Sequence, residues 1–175
     1  TTLAYALSNK FKIIALTINY KQRHCYEIEA SKKIIGNYPN AEQIIFDIDL
    51  TRIGGSALTD NTIEVPKTNT NGIPITYVPA RNTIFLSIAA SYAEKYKIRD
   101  IFIGVNAIDY SGYPDCRPEF IRSYEHMINL GTKAGSEGQP FKIHTPLINM
   151  SKSEIITMGS NLNVNYRDTV SCYSL

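Results

Sequence analysis

Residues 11–48 read FKIIALTINYKQRHCYEIEASKKIIGNYPNAEQIIFDI, and this stretch decides the fold. Residues 11–18 form a short apolar run rich in β-branched side chains, which predicts a strand. Ile28, Ile34 and Ile35 then mark one face of an amphipathic helix over residues 26–35. Gly36 and Asn37 stand where such a helix should close, because both tolerate the left-handed backbone that ends helices. Residues 44–48 are a second short apolar strand. A strand, a helix and a strand in this order need a crossover, and crossovers join parallel strands.

The same rhythm extends in both directions. Leu3, Ala4 and Leu7 predict a helix over residues 1–9, and in such an alternation a strand is expected before it. A helix is predicted over residues 82–96, with Ile84, Phe85, Ile88, Ala89 and Tyr92 on its apolar face. Residues 101–105 read as a buried strand, residues 118–130 as a helix with Pro118 in its first turn, and residues 141–147 as a strand. Ser151 and Glu154 have capping-box spacing for a helix through Met158, which Gly159 is expected to end. Alternation of this kind implies an α/β fold: a parallel sheet covered by helices on both faces, with right-handed crossovers. The 175 residues suit a single domain over 1–175, and no internal repeat is visible. Residues 51–79, rich in Gly, Pro, Thr and Asn, break the rhythm. A long irregular stretch inside a compact domain is either a functional loop or a loose insertion.

Composition narrows the classes of function. A net charge of +2 is too small to make nucleic acid or membrane the main partner. The three cysteines, Cys25, Cys116 and Cys172, are too far apart for a disulfide framework, so a reducing cytoplasm is the expected setting. No apolar run reaches the ~20 residues that a membrane-spanning helix needs.

In open parallel sheets, ligands bind beyond the carboxyl ends of the strands, so the polar clusters there are the candidate sites. Asn19-Tyr20-Lys21-Gln22-Arg23-His24 follows the first strand and suits either a nucleotide or substrate contact or a solvated turn. Tyr77-Val78-Pro79-Ala80-Arg81-Asn82 runs into a helix whose N–H groups and dipole favour an anion, and Arg81 could hold a phosphate bidentately. The dipole disfavours an arginine at that position unless an anion joins it. Residues 106–117, NAIDYSGYPDCR, concentrate acids, tyrosines and an arginine of the kind that recognises a planar heterocycle. Lys152, beside the Ser151 cap, suits either a polyphosphate or an ordinary helix start. Cys116 is either pocket wall or nucleophile, with packing the better reading, and His24 is either a proton carrier or an ion-pair member. Cys172 alone cannot make a zinc site, which needs four ligands.

Taken together, INYKQRHCYEIEA, YVPARNTIFLSIAA, GVNAIDYSGYPDCRPEFI, KIHTPLINMSKSEI and RDTVSCY resemble, in order, the segments of the 7-cyano-7-deazaguanine synthase family. The resemblance spans nearly the whole chain. SGYPDCR is its most specific part, whereas the Arg81 and Lys152 motifs are shared across the wider N-type ATP pyrophosphatases. It implies a three-layer, Rossmann-like fold of the adenine nucleotide alpha-hydrolase type. It implies ligation of ammonia to carboxy-deazaguanine by way of an acyl-adenylate and an amide, with ATP and Mg²⁺. By matched position, Arg81 and Lys152 would meet the ATP phosphates, and Asn19, Tyr20 and Gln22 the adenosine. Asp109, Tyr113, Asp115 and Arg117 would recognise the substrate. A structural zinc is also implied, with Cys172 as one ligand and three closely spaced cysteines further on. The family's P-loop, SGG-x-DS, is expected just before Thr1, and residues 1–175 without these two parts are expected to be inactive. A homodimer with small-molecule substrates is implied as well. The competing readings are another N-type ATP pyrophosphatase, tRNA-modifying or amide-forming, and a non-catalytic nucleotide-binding module.

Overall fold

A computed structural model describes residues 1–23, 26–64, 72–107 and 112–169. Six α-helices and four β-strands alternate along these residues: α1 (Thr2–Ser8), β1 (Ile13–Asn19), α2 (Tyr26–Gly36), β2 (Ala41–Asp47), α3 (Arg81–Lys95), β3 (Asp100–Phe102), α4 (Pro118–Gly131), α5 (Lys133–Ser136), β4 (Lys142–His144) and α6 (Lys152–Asn161). Short 3-10 turns at Pro114–Cys116 and Tyr166–Asp168 complete the set. The α/β class and parallel pairing expected from the alternation are present. The chain divides into two compact units: Thr1–Ala6 with Ala80–Leu162, and Leu7–Pro79 with Asn163–Leu175.

The second unit contains residues 11–48. β1 and β2 pair in parallel from Ile13↔Ala41 to Asn19↔Asp47, with α2 as the connection. Beneath α2, Gln43 Nε2 donates to Thr17 Oγ1 and to Ser31 Oγ, both at 2.9 Å, so one amide ties both strands to the helix. The described part of residues 51–79 has no helix or strand, as expected, yet it is folded on itself. The Ala57 N–H donates to the Ile75 carbonyl, Leu58 N–H to Ser56 Oγ, and Arg23 N–H to the Leu58 carbonyl. Asp49 and Asp60 each accept the N–H two residues on, forming side-chain turns in place of regular structure. Ser56, Ala57 and Val78 are buried in this segment. Its described residues are therefore a packed loop.

In the first unit, β3 and β4 pair in parallel, Asp100↔Lys142 to Phe102↔His144. Both strands are shorter than the runs 101–105 and 141–147 that announce them. Hydrophobic periodicity marks burial, whereas the ladder's length is set by where the partner's carbonyls and N–H groups stop. The buried stripe of α3 also differs from the one expected. Asn82, Leu86, Ala90 and Ala93 are buried, while Ile84, Phe85, Ile88, Ala89 and Tyr92 are only half-buried. Apolar residues lie on more than one side of this helix, so spacing alone does not choose the inner face. The capping box on α6 forms as the sequence predicts: Ser151 Oγ accepts the Glu154 N–H, and Glu154 Oε2 accepts the Ser151 N–H. Gly159 does not end α6, which runs on to Asn161. Gly159 is buried within the helix, and the cap falls on Leu162, whose N–H bonds to the Met158 and Gly159 carbonyls.

Candidate functional site

In the first unit, α3 begins without a capping side chain of its own. Ala80, its N-cap, sits in the left-handed region (φ 52°, ψ 26°), where an alanine carries strain of about 1–3 kcal/mol. The missing cap comes from 33 residues further along the chain. The backbone N–H of Asn82 donates to Asp115 Oδ2 at 2.9 Å, which puts a carboxylate at the positive end of the helix dipole. The Asn82 side chain returns the contact: Nδ2 donates to the Asp115 carbonyl oxygen at 3.1 Å and to Cys116 Sγ at 3.3 Å. Asn82 and Asp115 are both buried, at 8% and 6% exposure. Part of the N–H capacity that the sequence offers to an anion at this helix start is therefore already used by the protein's own carboxylate.

The substrate-side segment is shaped by a 3-10 turn over Pro114–Cys116, closed by the Cys116 N–H on the Tyr113 carbonyl at 3.1 Å. Tyr113 is buried. Arg117 is exposed and forms the extended N-cap of α4, whose first residue is Pro118. Burial pushes the Cys116 thiol above its ordinary value, and the Asp115 charge pushes the same way. The Arg81 cation and the Asn82 hydrogen bond oppose them. A thiol held neutral is a poor nucleophile, so the packing reading of Cys116 is favoured. Arg81, half-buried on the first turn of α3, is near enough to act on this thiol. Arg81, Asp115 and Cys116 are thus drawn together. Lys152 is exposed on the first turn of α6, beside the satisfied capping box.

In the second unit, Asn19 and Asp47 are the last register pair of β1 and β2, and Asn19 Nδ2 donates to Asp47 Oδ1 at 2.7 Å. The chain then turns so that the Tyr20 N–H donates to Gln22 Oε1 at 3.1 Å, with Tyr20 and Gln22 both buried. The three residues expected to meet adenosine lie together at the carboxyl end of a parallel pair, where ligands of α/β sheets bind. Asp109, Cys172, His24 and Cys25 lie outside the described residues.

Two residues with a part in these arrangements escape a reading of the sequence. Asp47 is hidden inside an apolar strand run. Asn82 reads as an ordinary helix opener, although Ala80 at the cap position signals that the helix must be capped from elsewhere. Among the described residues, no group of three or more His, Cys, Asp or Glu side chains is arranged to hold a metal ion. No helix among them is long and apolar enough to cross a membrane.

Parallel strands joined by helices, with polar clusters at strand and helix termini, define an α/β protein of the kind that binds ligands at its strand ends. Comparison with known proteins specifies which. The family model described as queuosine biosynthesis protein QueC matches residues 1–175. A 7-cyano-7-deazaguanine synthase of Pseudomonas syringae pv. syringae is 53% identical over 173 residues, covering 99% of this chain and 76% of that protein. The synthase of Stutzerimonas stutzeri is 51% identical over 173 residues (99% and 77%), and that of Ralstonia nicotianae 53% over 174 residues (99% and 78%). The chain belongs to the QueC family.

Proposed function

We propose that this protein carries out the ATP-dependent conversion of 7-carboxy-7-deazaguanine and ammonia to 7-cyano-7-deazaguanine, in queuosine biosynthesis. The observation that carries the reading is the family match over residues 1–175, joined to relatives more than half identical that share the synthase name.

The chemistry must remove both oxygens of a carboxylate. The carboxylate attacks the α-phosphorus of ATP and expels pyrophosphate, which leaves an acyl-adenylate. Ammonia attacks the acyl carbon, AMP departs with the first oxygen, and a proton is lost to give the amide. The amide oxygen attacks a second ATP and again expels pyrophosphate. AMP then leaves with the second oxygen as the nitrogen loses its protons, and the nitrile forms. Each turnover thus consumes two ATP and releases two AMP and two pyrophosphates. The protein has to hold the triphosphate, aim the carboxylate at phosphorus and keep water from the adenylate.

Arg81 and Lys152 take the phosphates in this reading, supported by their places on the first turns of α3 and α6. Asn19, Tyr20 and Gln22 take the adenosine. Asp109, Tyr113, Asp115 and Arg117 receive the deazaguanine, where a carboxylate accepts from its N–H and amino groups. Mg²⁺ would accompany the triphosphate as part of the substrate and offset its negative charge. Cys172 would be one of the four ligands of a structural zinc, and no step runs through that ion. The protein works in the cytoplasm as a homodimer.

The deciding experiment supplies the full-length gene product with carboxy-deazaguanine, ammonium and Mg-ATP and follows nitrile and AMP. Both should accumulate. A folded, metal-replete protein that makes neither is a nucleotide-binding module instead, and one that stops at the amide is an amide-forming relative.

A further inference from the structure

We infer that Asn82 is a positioning residue that locks the phosphate-side motif to the substrate-side loop. The inference rests on the synthase reading and deepens it, because that reading gives neither ligand to Asn82. Three hydrogen bonds run between one residue of α3 and two consecutive residues of the 3-10 turn: Asn82 N–H to Asp115 Oδ2, Asn82 Nδ2 to the Asp115 carbonyl, and Asn82 Nδ2 to Cys116 Sγ. All three residues are buried, so water does not compete for these bonds. On one side of the clamp, Arg81 is the immediate neighbour of Asn82. On the other, Tyr113 and Arg117 flank the clamped pair. Asparagine suits the task because its amide supplies two N–H donors in one plane, enough for a carbonyl and a sulfur at once. A carboxylate at the same position could supply neither.

The consequence concerns the first bond made. Adenylation needs the substrate carboxylate aligned with the α-phosphorus, and displacement by about 1 Å can slow such a step by roughly 100-fold. By tying the two binding motifs together, Asn82 fixes that alignment without itself touching either ligand. Loosening it should slow the chemistry more than it weakens binding.

The test uses the full-length protein and carboxy-deazaguanine-dependent exchange of pyrophosphate into ATP, which reports adenylation alone. Asn82→Ala keeps the backbone N–H bond and removes both side-chain donors. Its exchange rate at saturation should fall by at least roughly tenfold, with KM for either substrate changed by less than about threefold. Asn82→Asp keeps the volume and serves if the alanine variant fails to fold. Cys116→Ala removes only the sulfur contact and should lose no more than about threefold. Wild-type exchange at saturation in either folded Asn82 variant overturns the inference. So does a raised KM with an unchanged saturating rate, because the clamp would then serve binding alone. Absence of exchange and of nitrile in the unsubstituted protein rejects the synthase reading itself, and the positioning role with it.

Discussion

Arg81 stands on the first turn of α3, where the helix dipole opposes a cation, with the buried carboxylate of Asp115 at the same helix end. In the proposed reaction its partner is a phosphate, and losing such a charge-assisted contact costs about 1.5–3 kcal/mol. Arg81→Ala should therefore raise the dissociation constant for ATP by roughly 10- to 100-fold. Asp115→Asn tests the charge on the other side of the clamp. Its amide keeps an oxygen for the Asn82 N–H, so carboxy-deazaguanine should weaken more than ATP does. Calorimetric titration of both ligands against both variants checks the pair, and equal loss of the two ligands in Asp115→Asn would remove Asp115 from the pocket. Cys116 gives a pH-dependent prediction. Burial, the Asp115 charge and the opposing Arg81 and Asn82 together leave its folded value above the ordinary 9.0. Folding therefore favours the neutral thiol. That contribution is complete below the unfolded value and is lost as pH rises toward the folded one. Alkylation followed by mass spectrometry at pH 8 should be slow in the native protein and fast after unfolding.

At the scale of elements, α4 and α5 meet with main chain against main chain. Asn129, near the end of α4, receives the Phe141 N–H on its side-chain oxygen at 2.7 Å and donates Nδ2 to the Phe141 carbonyl at 2.9 Å, which fixes the entry to β4. Gly135 in α5 lies against the backbone of the same Asn129, and a Cβ there would fall 2.7 Å from its Cα. The obstacle is main chain and cannot swing aside. Gly135→Ala should destabilise the protein by about 1–3 kcal/mol through overpacking. Thermal unfolding checks this, and an unchanged midpoint would show that α5 shifts freely. Capping was partly legible in sequence at this scale. The Ser151–Glu154 box lies within four residues and could be read directly. The cap of α3 could not, because Asp115 reaches it only once the chain has folded.

For the molecule as a whole, the proposed chemistry sets a stoichiometry. Each of the two carboxylate oxygens must leave on an AMP, so two AMP should appear per nitrile, measured by chromatography of a complete reaction. One AMP per nitrile would mean that a different leaving group carries the second oxygen. Alternation of residues 11–48 and its continuation determined the class of fold, because helix and strand periods and β-branched runs are local properties of the chain. The order of the strand-end clusters carried the resemblance to the synthase family, which the match over the whole chain bears out. Tertiary structure decided the rest. It chose which face of α3 turns inward, carried α6 past Gly159, and folded the described part of residues 51–79 on itself. It also joined Asn82 to Asp115 and Cys116. Each of these depends on which distant groups satisfy a buried face or a buried donor, and nothing in the local sequence records that partner.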